Sequence, residues 1–321
     1  MNPKPERIQS YLYLLINTVC WGAALIVVKP ALSFTTPFRF LFYRYLLASF
    51  LSLPILFSFV KQKKFQKKLS AGQLAKIFSL ELLGTTLALS LLYLGLARTS
   101  AIEASLLATT TPIFITLAGI FLLKERQEKH EWLGLLLSFV GTVVLVFNPI
   151  LTNSTQFKLT FSLAGNLLIL TQNLTIALYY VLAKKAYHQL PKLLVTSLSF
   201  WVGLITFFFL SLSQLNFDPP LLWQAVLHDW QQSSVTLASL YMATFGSIIG
   251  LTAYIKGQEK IEASEASLFT YLQPLVYLPL GFVLLNEKIN PWQITSLLII
   301  LLGVVMAEKR ISKQTKKRPK K

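Results

Sequence analysis

The sequence predicts an all-α polytopic membrane protein, with ten transmembrane helices arranged as two inverted five-helix repeats. Three observations carry this. Of 321 residues, 54% are hydrophobic and only 13% charged, against about 25% charged in an ordinary soluble domain. Ten apolar stretches each approach the ~20 residues that cross ~30 Å of hydrocarbon as a helix. The sequence also aligns with itself at a shift of 162 residues.

The ten spans fall at 8–28, 38–60, 73–96, 101–123, 132–150, 161–183, 193–213, 235–255, 263–285 and 291–308. Runs such as Leu133-Gly134-Leu135-Leu136-Leu137 do not alternate as the strands of a membrane barrel must, so the spans read as helices. The first follows Lys4 and Arg7 but is too long for a signal-peptide core and has no small-residue cleavage site after it, so it is expected to remain as a helix. The lone Cys20 excludes an internal disulfide and any Cys-based metal cluster.

Charge sets the orientation. With the N-terminus inside, the inner segments 1–7, 61–72, 124–131, 184–192, 256–262 and 309–321 hold 23 of the 30 Lys and Arg residues, and the outer connections hold five. Lysine and arginine concentrate on the cytoplasmic side of membrane proteins. Both termini are therefore expected in the cytoplasm, and the net charge of +17 is mostly orientation chemistry. The basic tail 309–321 reads as a solvated cytoplasmic extension rather than a site for RNA or anionic lipid. The long outer loop 214–234 has Asp218 and Asp229 but no Lys or Arg.

The repeat pairs scarce residues. Gly84 falls on Gly246, Gly95 on Gly257, Glu103 on Glu265, Pro112 on Pro274, Gly119 on Gly281, Glu125 on Glu287 and Gly141 on Gly303. At a shift of 156, Asn17 and Lys29 fall on Asn173 and Lys185. Five helices per half is an odd number, so the second half enters the membrane upside down, as inverted-repeat transporters do. Glu125 and Glu287 read as carboxylates fixing helix ends. Glu103 and Glu265 read as first-turn acids complementing the helix dipole, worth ~0.3–1 kcal/mol. Pro112 and Pro274 are expected mid-helix, as kinks or pivots.

Several chemistries are missing from the sequence. No G-x-x-x-x-G-K-[ST] phosphate loop exists. His130, His188 and His228 all fall in predicted loops and do not converge with acids in a way that suggests catalysis or metal binding. Asp218, His228 and Asp229 share one loop, where a solvated amphipathic helix is the ordinary reading. No catalytic residue, cofactor or metal is expected. The expected partners are a small-molecule substrate and the lipid bilayer, with no nucleic acid; the sequence does not set an oligomeric state.

The residues also resemble a known family. Trp21-Gly22 with Lys29, Ala101-Ile102-Glu103-Ala104-Ser105, Pro112, Leu123-Lys124-Glu125-Arg126 and Gly134 to Gly141 return as Glu265-Ala266-Ser267, Pro274, Leu285-Asn286-Glu287-Lys288 and Gly303. This pattern is similar to the EamA family of the drug/metabolite transporter superfamily, with one repeat at 8–150 and another at 161–308. The resemblance implies a central cavity lined mainly by helices 1, 3, 4, 6, 8 and 9, and export of amino acids or other small metabolites. Helix 6 departs from the pattern, with Ala177-Leu178-Tyr179-Tyr180 where a Trp is usual.

Polar groups inside a membrane need a reason. On the cavity helices the expected substrate-binding residues are Asn17, Trp21, Glu81, Thr110, Asn173, Tyr180, Tyr241, Tyr271 and Gln273, with Thr85, Thr109, Thr111, Gln172 and Tyr277 nearby. Interhelical hydrogen bonding is the alternative role for each. Lys76, one turn below, is a possible partner for Glu81. Lys29, Arg39, Arg44 and Arg98 are expected toward the outer mouth, where they attract anionic or zwitterionic solutes or, for Arg39 and Arg98, snorkel to headgroups. The function expected is secondary transport of small organic metabolites across the cytoplasmic membrane, with export favoured. Import or exchange of an anionic metabolite is the alternative; a membrane-embedded enzyme and a receptor without flux are the remaining ones. A sided cysteine test checks the topology: after replacement of Cys20, a cysteine at Gln224 is expected to label from outside and one at Gln66 only from inside. External labelling at position 66 contradicts the ten-span layout.

Overall fold

The computed structural model describes residues 5–61, 70–123, 129–152, 156–187, 190–257 and 268–308. The Glu125, Glu265 and His188 positions, the loop residues 62–69 and the tail 309–321 lie outside them. Among the described residues all regular structure is helical. Seven helical stretches are long and apolar enough to cross a membrane: Arg7–Ser33, Pro37–Ser58, Ala71–Arg98, Ala101–Leu122, Ser162–Ala183, Lys192–Ser213 and Ser233–Gly257. Shorter apolar helices lie at Trp132–Val146, Phe269–Leu285 and Pro291–Gly303.

In chain order the helices are α1 (Pro5–Gly22), α2 (Ala24–Val28), α3 (Pro37–Lys61), α4 (Ala71–Glu81), α5 (Ala88–Arg98), α6 (Ala101–Ala108), α7 (Thr111–Leu123) and α8 (Lys129–Val146). They continue as α9 (Asn148–Leu151), α10 (Gln156–Ala186), α11 (Lys192–Ser213), α12 (Pro219–Gln231), α13 (Ser233–Tyr241), α14 (Gly250–Gly257), α15 (Pro274–Leu285) and α16 (Pro291–Glu308).

Several spans are interrupted, and the interruptions recur across the repeat. A π-helical segment, Leu82–Leu87, joins α4 to α5, and another, Met242–Ile249, joins α13 to α14. At the 162-residue shift the first falls within the second. Such segments are uncommon and concentrate at functional sites; nothing in the sequence reading anticipated them. The proline positions also differ from expectation. Pro112 does not kink a continuous helix: the chain breaks at Thr109–Thr110 and restarts as α7. Pro274 opens α15 directly after a 3-10 turn at Leu268–Leu272. Proline lacks an N–H, so the preceding turn loses a partner for its carbonyls. Three consecutive threonines supply it: Thr109, Thr110 and Thr111 hydroxyls donate to the carbonyls of Leu106 (2.6 Å), Leu107 (2.7 Å) and Ala108 (2.7 Å).

Helices meet where side chains are small, as they do in membranes. α5 and α10 cross at Gly95 and Gly165, so close that a Cβ on Gly165 would lie 2.9 Å from the Gly95 carbonyl oxygen. α8 packs on α16, where the Ser138 hydroxyl donates to the Ile300 carbonyl at 3.3 Å. α3 packs on α11, with Tyr45 stacked on Phe207 at 5.5 Å. Phe40, Tyr43, Tyr93, Leu96 and Ile102 are among the fully buried side chains of the core between these pairs.

Loop 214–234 is not a free solvated helix. Asp218 caps α12 by accepting from the Leu221 N–H at 3.2 Å. Asp229 is 1% exposed and accepts from Thr35 (2.5 Å), Arg39 Nε (2.9 Å) and Tyr43 (2.9 Å). Arg39 therefore pairs with a buried carboxylate instead of reaching for headgroups, and Arg98 Nη1 donates to the carbonyl of Leu94 in its own helix. His228 stays exposed. The glycine crossing is testable. Gly165→Leu is expected to lower the thermal midpoint of the detergent-purified protein by an amount matching about 1–3 kcal/mol of overpacking, whereas Gly72→Leu, where a Cβ meets only the Ser70 hydroxyl at 4.0 Å, leaves it unchanged.

Candidate functional site

The third span of each half carries a glycine in its π segment, Gly84 and Gly246, and an aromatic residue of the other half's first span packs against each segment. In one pairing Tyr179 of α10 covers Gly84 so closely that a methyl group there would overlap its ring. In the other, Trp21 of α1 lies along Met242–Ile249: its indole N–H donates to the Gly246 carbonyl at 3.0 Å, and a Cβ on Gly250 would meet that nitrogen at 2.8 Å. Asn17, one turn earlier, donates to the Gly250 carbonyl at 3.0 Å. A π segment leaves carbonyls without regular helical partners, and side chains of α1 answer them.

Glu81 ends α4 immediately before its π segment and is 1% exposed. Its carboxylate accepts from three hydroxyls: Thr85 at 2.6 Å, Tyr179 at 2.8 Å and Tyr187 at 3.0 Å. Lys76 is exposed and does not take the role of partner. Every donor that holds this carboxylate among the described residues is a neutral hydroxyl.

Tyr180 is the opening in this packing. It retains 40% exposure, yet it lies on the inner side of α10. Leu174, Leu178 and Leu182 mark the exposed apolar face of that helix. At ~100° per residue, Tyr180 stands about 200° from Leu178, on the side shared with fully buried Asn173. An exposed side chain on the interior face borders a space within the bundle. Its ring is 5.6 Å from Tyr179, and its hydroxyl is within electrostatic reach of Tyr254 and Glu81. Tyr254 in turn packs on Trp21 with ring centroids 5.3 Å apart. Trp21, Tyr254, Tyr180, Tyr179 and Glu81 thus form one wall running from α1 across α14 to α10 and α4. Just beyond α10, the Tyr187 hydroxyl has its pKa pushed up, chiefly by burial and then by the Glu81 charge it bonds, so it remains a neutral donor.

The other expected site residues are placed differently. Asn173 is fully buried, donates to the Leu107 carbonyl and the Thr110 hydroxyl (both 2.9 Å), and accepts from Thr111 at 2.8 Å. It holds the break between α6 and α7, as does Thr110. Tyr241 donates to the Cys20 carbonyl at 2.9 Å and stacks on Phe245. Gln273 precedes α15, with its carbonyl accepting from Val276 and Tyr277. Tyr271 is half-buried in the 3-10 turn before it. Residues the sequence reading passed over are Tyr179, Tyr187 and Tyr254. The pairing of Gly84 with Gly246 was the available signal, since a retained glycine inside a helix asks what lies against it.

At the opposite end of the bundle the halves are tied together. The Glu287 carboxylate, just after α15, accepts from the backbone N–H groups of Ala101 and Ile102, both at 2.7 Å, and so caps α6 of the first half. Lys29 donates to the carbonyls of Leu96 (2.6 Å) and Thr99 (2.5 Å) at the end of α5. Glu103 does more than complement a helix dipole: it accepts from Thr99, Ser162 and Asn148. Among the described residues no group of His, Cys, Asp and Glu is arranged to hold a metal ion.

A model of the EamA-like transporter family matches residues 8–147 and 163–308. The chain belongs to the EamA-like transporter family. An uncharacterized transporter of Archaeoglobus fulgidus is 26% identical over 93% of this chain and 96% of its own length. The uncharacterized transporter YcxC of Bacillus subtilis is 26% identical over 98% and 97%. A chloroplastic WAT1-related protein of Arabidopsis thaliana is 25% identical over 89% of this chain and 66% of its own. A solved crystal structure shares the fold, with a TM-score of 0.63 over 98% of this chain and 99% of that one at 16% identity. This EamA protein is a multi-pass membrane protein. The cross-half cap is testable: Glu287→Ala removes two charge-assisted bonds and is expected to cost about 1–3 kcal/mol, read as a lower thermal midpoint in detergent, while Lys288→Ala one residue on has no effect.

Proposed function

We propose that this EamA protein is a secondary transporter that moves small organic metabolites across the cytoplasmic membrane by alternating access, and that it exports them. Its ten spans form two inverted five-helix repeats, 8–150 and 161–308, with both termini in the cytoplasm. The family match and the relatives named transporters support the class. The observation that carries the mechanism is the reciprocal packing of aromatics on π segments: Tyr179 over Gly84 in one pairing, Trp21 along Gly246 and Gly250 in the other. Two such contacts of opposite orientation can exchange roles, so one design yields two access states. By the charge rule the tied end with Lys29 and Glu287 faces outside, and the end with Tyr187 faces the cytoplasm. A substrate reaching Tyr180 from the cytoplasm meets an aromatic wall and one acid, the usual make-up of a small-molecule pocket.

Reconstituted protein loaded with a panel of small metabolites tests this by efflux from proteoliposomes. Glu81→Gln keeps the shape and loses the charge; it is expected to cut flux at least tenfold with normal insertion and an unchanged elution profile. Unaltered flux in Glu81→Gln returns Glu81 to a packing role. Absence of flux for the whole panel in the wild type overturns the transport reading.

A further inference from the structure

Arg44 is not used by any contact described so far. It lies about two turns into α3 and is half-buried. Its guanidinium points into the bundle. Nε donates to the Ser247 hydroxyl at 3.3 Å and Nη1 to the Tyr93 hydroxyl at 3.1 Å, both residues being almost fully buried. The Tyr45 ring lies 5.4 Å from its central carbon. A guanidinium has five N–H donors, so these two bonds leave three without a protein acceptor among the described residues. No carboxylate pairs with it there, whereas Arg39, five residues earlier in the chain, has Asp229. A membrane-buried cation held only by hydroxyls and a ring is costly and marks a pathway or a ligand position.

Its surroundings connect it to the wall. Ser247 follows Gly246, the residue whose carbonyl takes the Trp21 indole N–H. On the other side, Tyr45 lies beside Thr85 and within electrostatic reach of both Arg44 and Glu81, and Thr85 donates to Glu81. Arg44 and Glu81 thus flank one tyrosine without pairing directly. Tyr45 and Thr85 link the surroundings of Arg44 to those of Glu81.

We propose that Arg44, with Tyr93 and Ser247, is an oxyanion subsite of the transport pathway, and that the solute carried presents a carboxylate or phosphate group to it. The three free N–H groups give the planar fork that carboxylates and phosphates accept bidentately. This deepens the transport reading above and rests on it for the word solute; the anion site itself stands on geometry alone.

Thermal unfolding of the full-length protein in detergent tests it, with phenylacetate as anionic probe and phenethylamine as its cationic counterpart of similar shape. Phenylacetate is expected to raise the midpoint of the wild type, phenethylamine to leave it unchanged, and Arg44→Gln to shift the phenylacetate response to at least tenfold higher concentration. Arg44→Lys keeps the charge without the fork and serves if Arg44→Gln does not fold; a response several-fold weaker is expected. An unaltered response in Arg44→Gln or Arg44→Lys, or no response of the wild type to phenylacetate, overturns the subsite. So does an Arg44-dependent rise given only by phosphatidylglycerol, which assigns the position to a lipid headgroup. An Arg44-dependent phenylacetate response in protein that shows no efflux keeps the anion site and removes the transport reading.

Discussion

Hydrocarbon supplies no hydrogen bonds, and many of the buried polar side chains of this bundle are placed by that constraint. Where proline interrupts a span, three threonines and Asn173 take up the freed carbonyls. Where π segments interrupt the third span of each half, Trp21 and Asn17 answer one and the Tyr179 ring covers the other. The threonine bonds are local, but those of Trp21 and Asn17 reach carbonyls 225 and 233 residues away, so satisfying the backbone also ties the first half to the second. Against that background two residues stand out: Glu81 is held by hydroxyls alone, and Arg44 keeps donors without acceptors among the described residues.

The two ends of the bundle are held differently. At one end, Glu287 caps a helix of the opposite half and Lys29 closes the carboxyl end of α5. Such contacts are directional and charge-assisted, so they make or break as units. Nearer the other end, Tyr180 remains exposed on the interior face of its helix. At the 162-residue shift the Glu125 position is the sequence counterpart of Glu287.

Much of the architecture was legible in the chain. Apolar runs located the seven long apolar helices and the three shorter ones, and the scarce pairs Gly84/Gly246, Pro112/Pro274 and Glu125/Glu287 fit a family model that matches the chain twice. The Glu81 burial was readable from an acid three turns inside an apolar run. The details that shape the site were not. Hydropathy reports length and cannot report a π turn, so Leu82–Leu87 and Met242–Ile249 passed as ordinary helix. Asn173 and Thr110 look like pocket residues by polarity, but their bonds lie in the α6–α7 break, which depends on how Pro112 is accommodated. Arg39 looked like a headgroup seeker because its partner, Asp229, is 190 residues away. Arg44 stood in the sequence among the outer cations, and only its neighbours Tyr93 and Ser247, from two other spans, distinguish it.

The central claim is that the two ends of the bundle open in alternation. Pulsed electron–electron distance measurements in liposomes address it, with one spin-label pair at exposed Phe34 and Lys288 and another at exposed Gly72 and Lys192. The account predicts two populated distances for each pair, with conditions that lengthen one pair shortening the other. A single unshifted distance for both pairs under all conditions, in protein that carries flux, would contradict it.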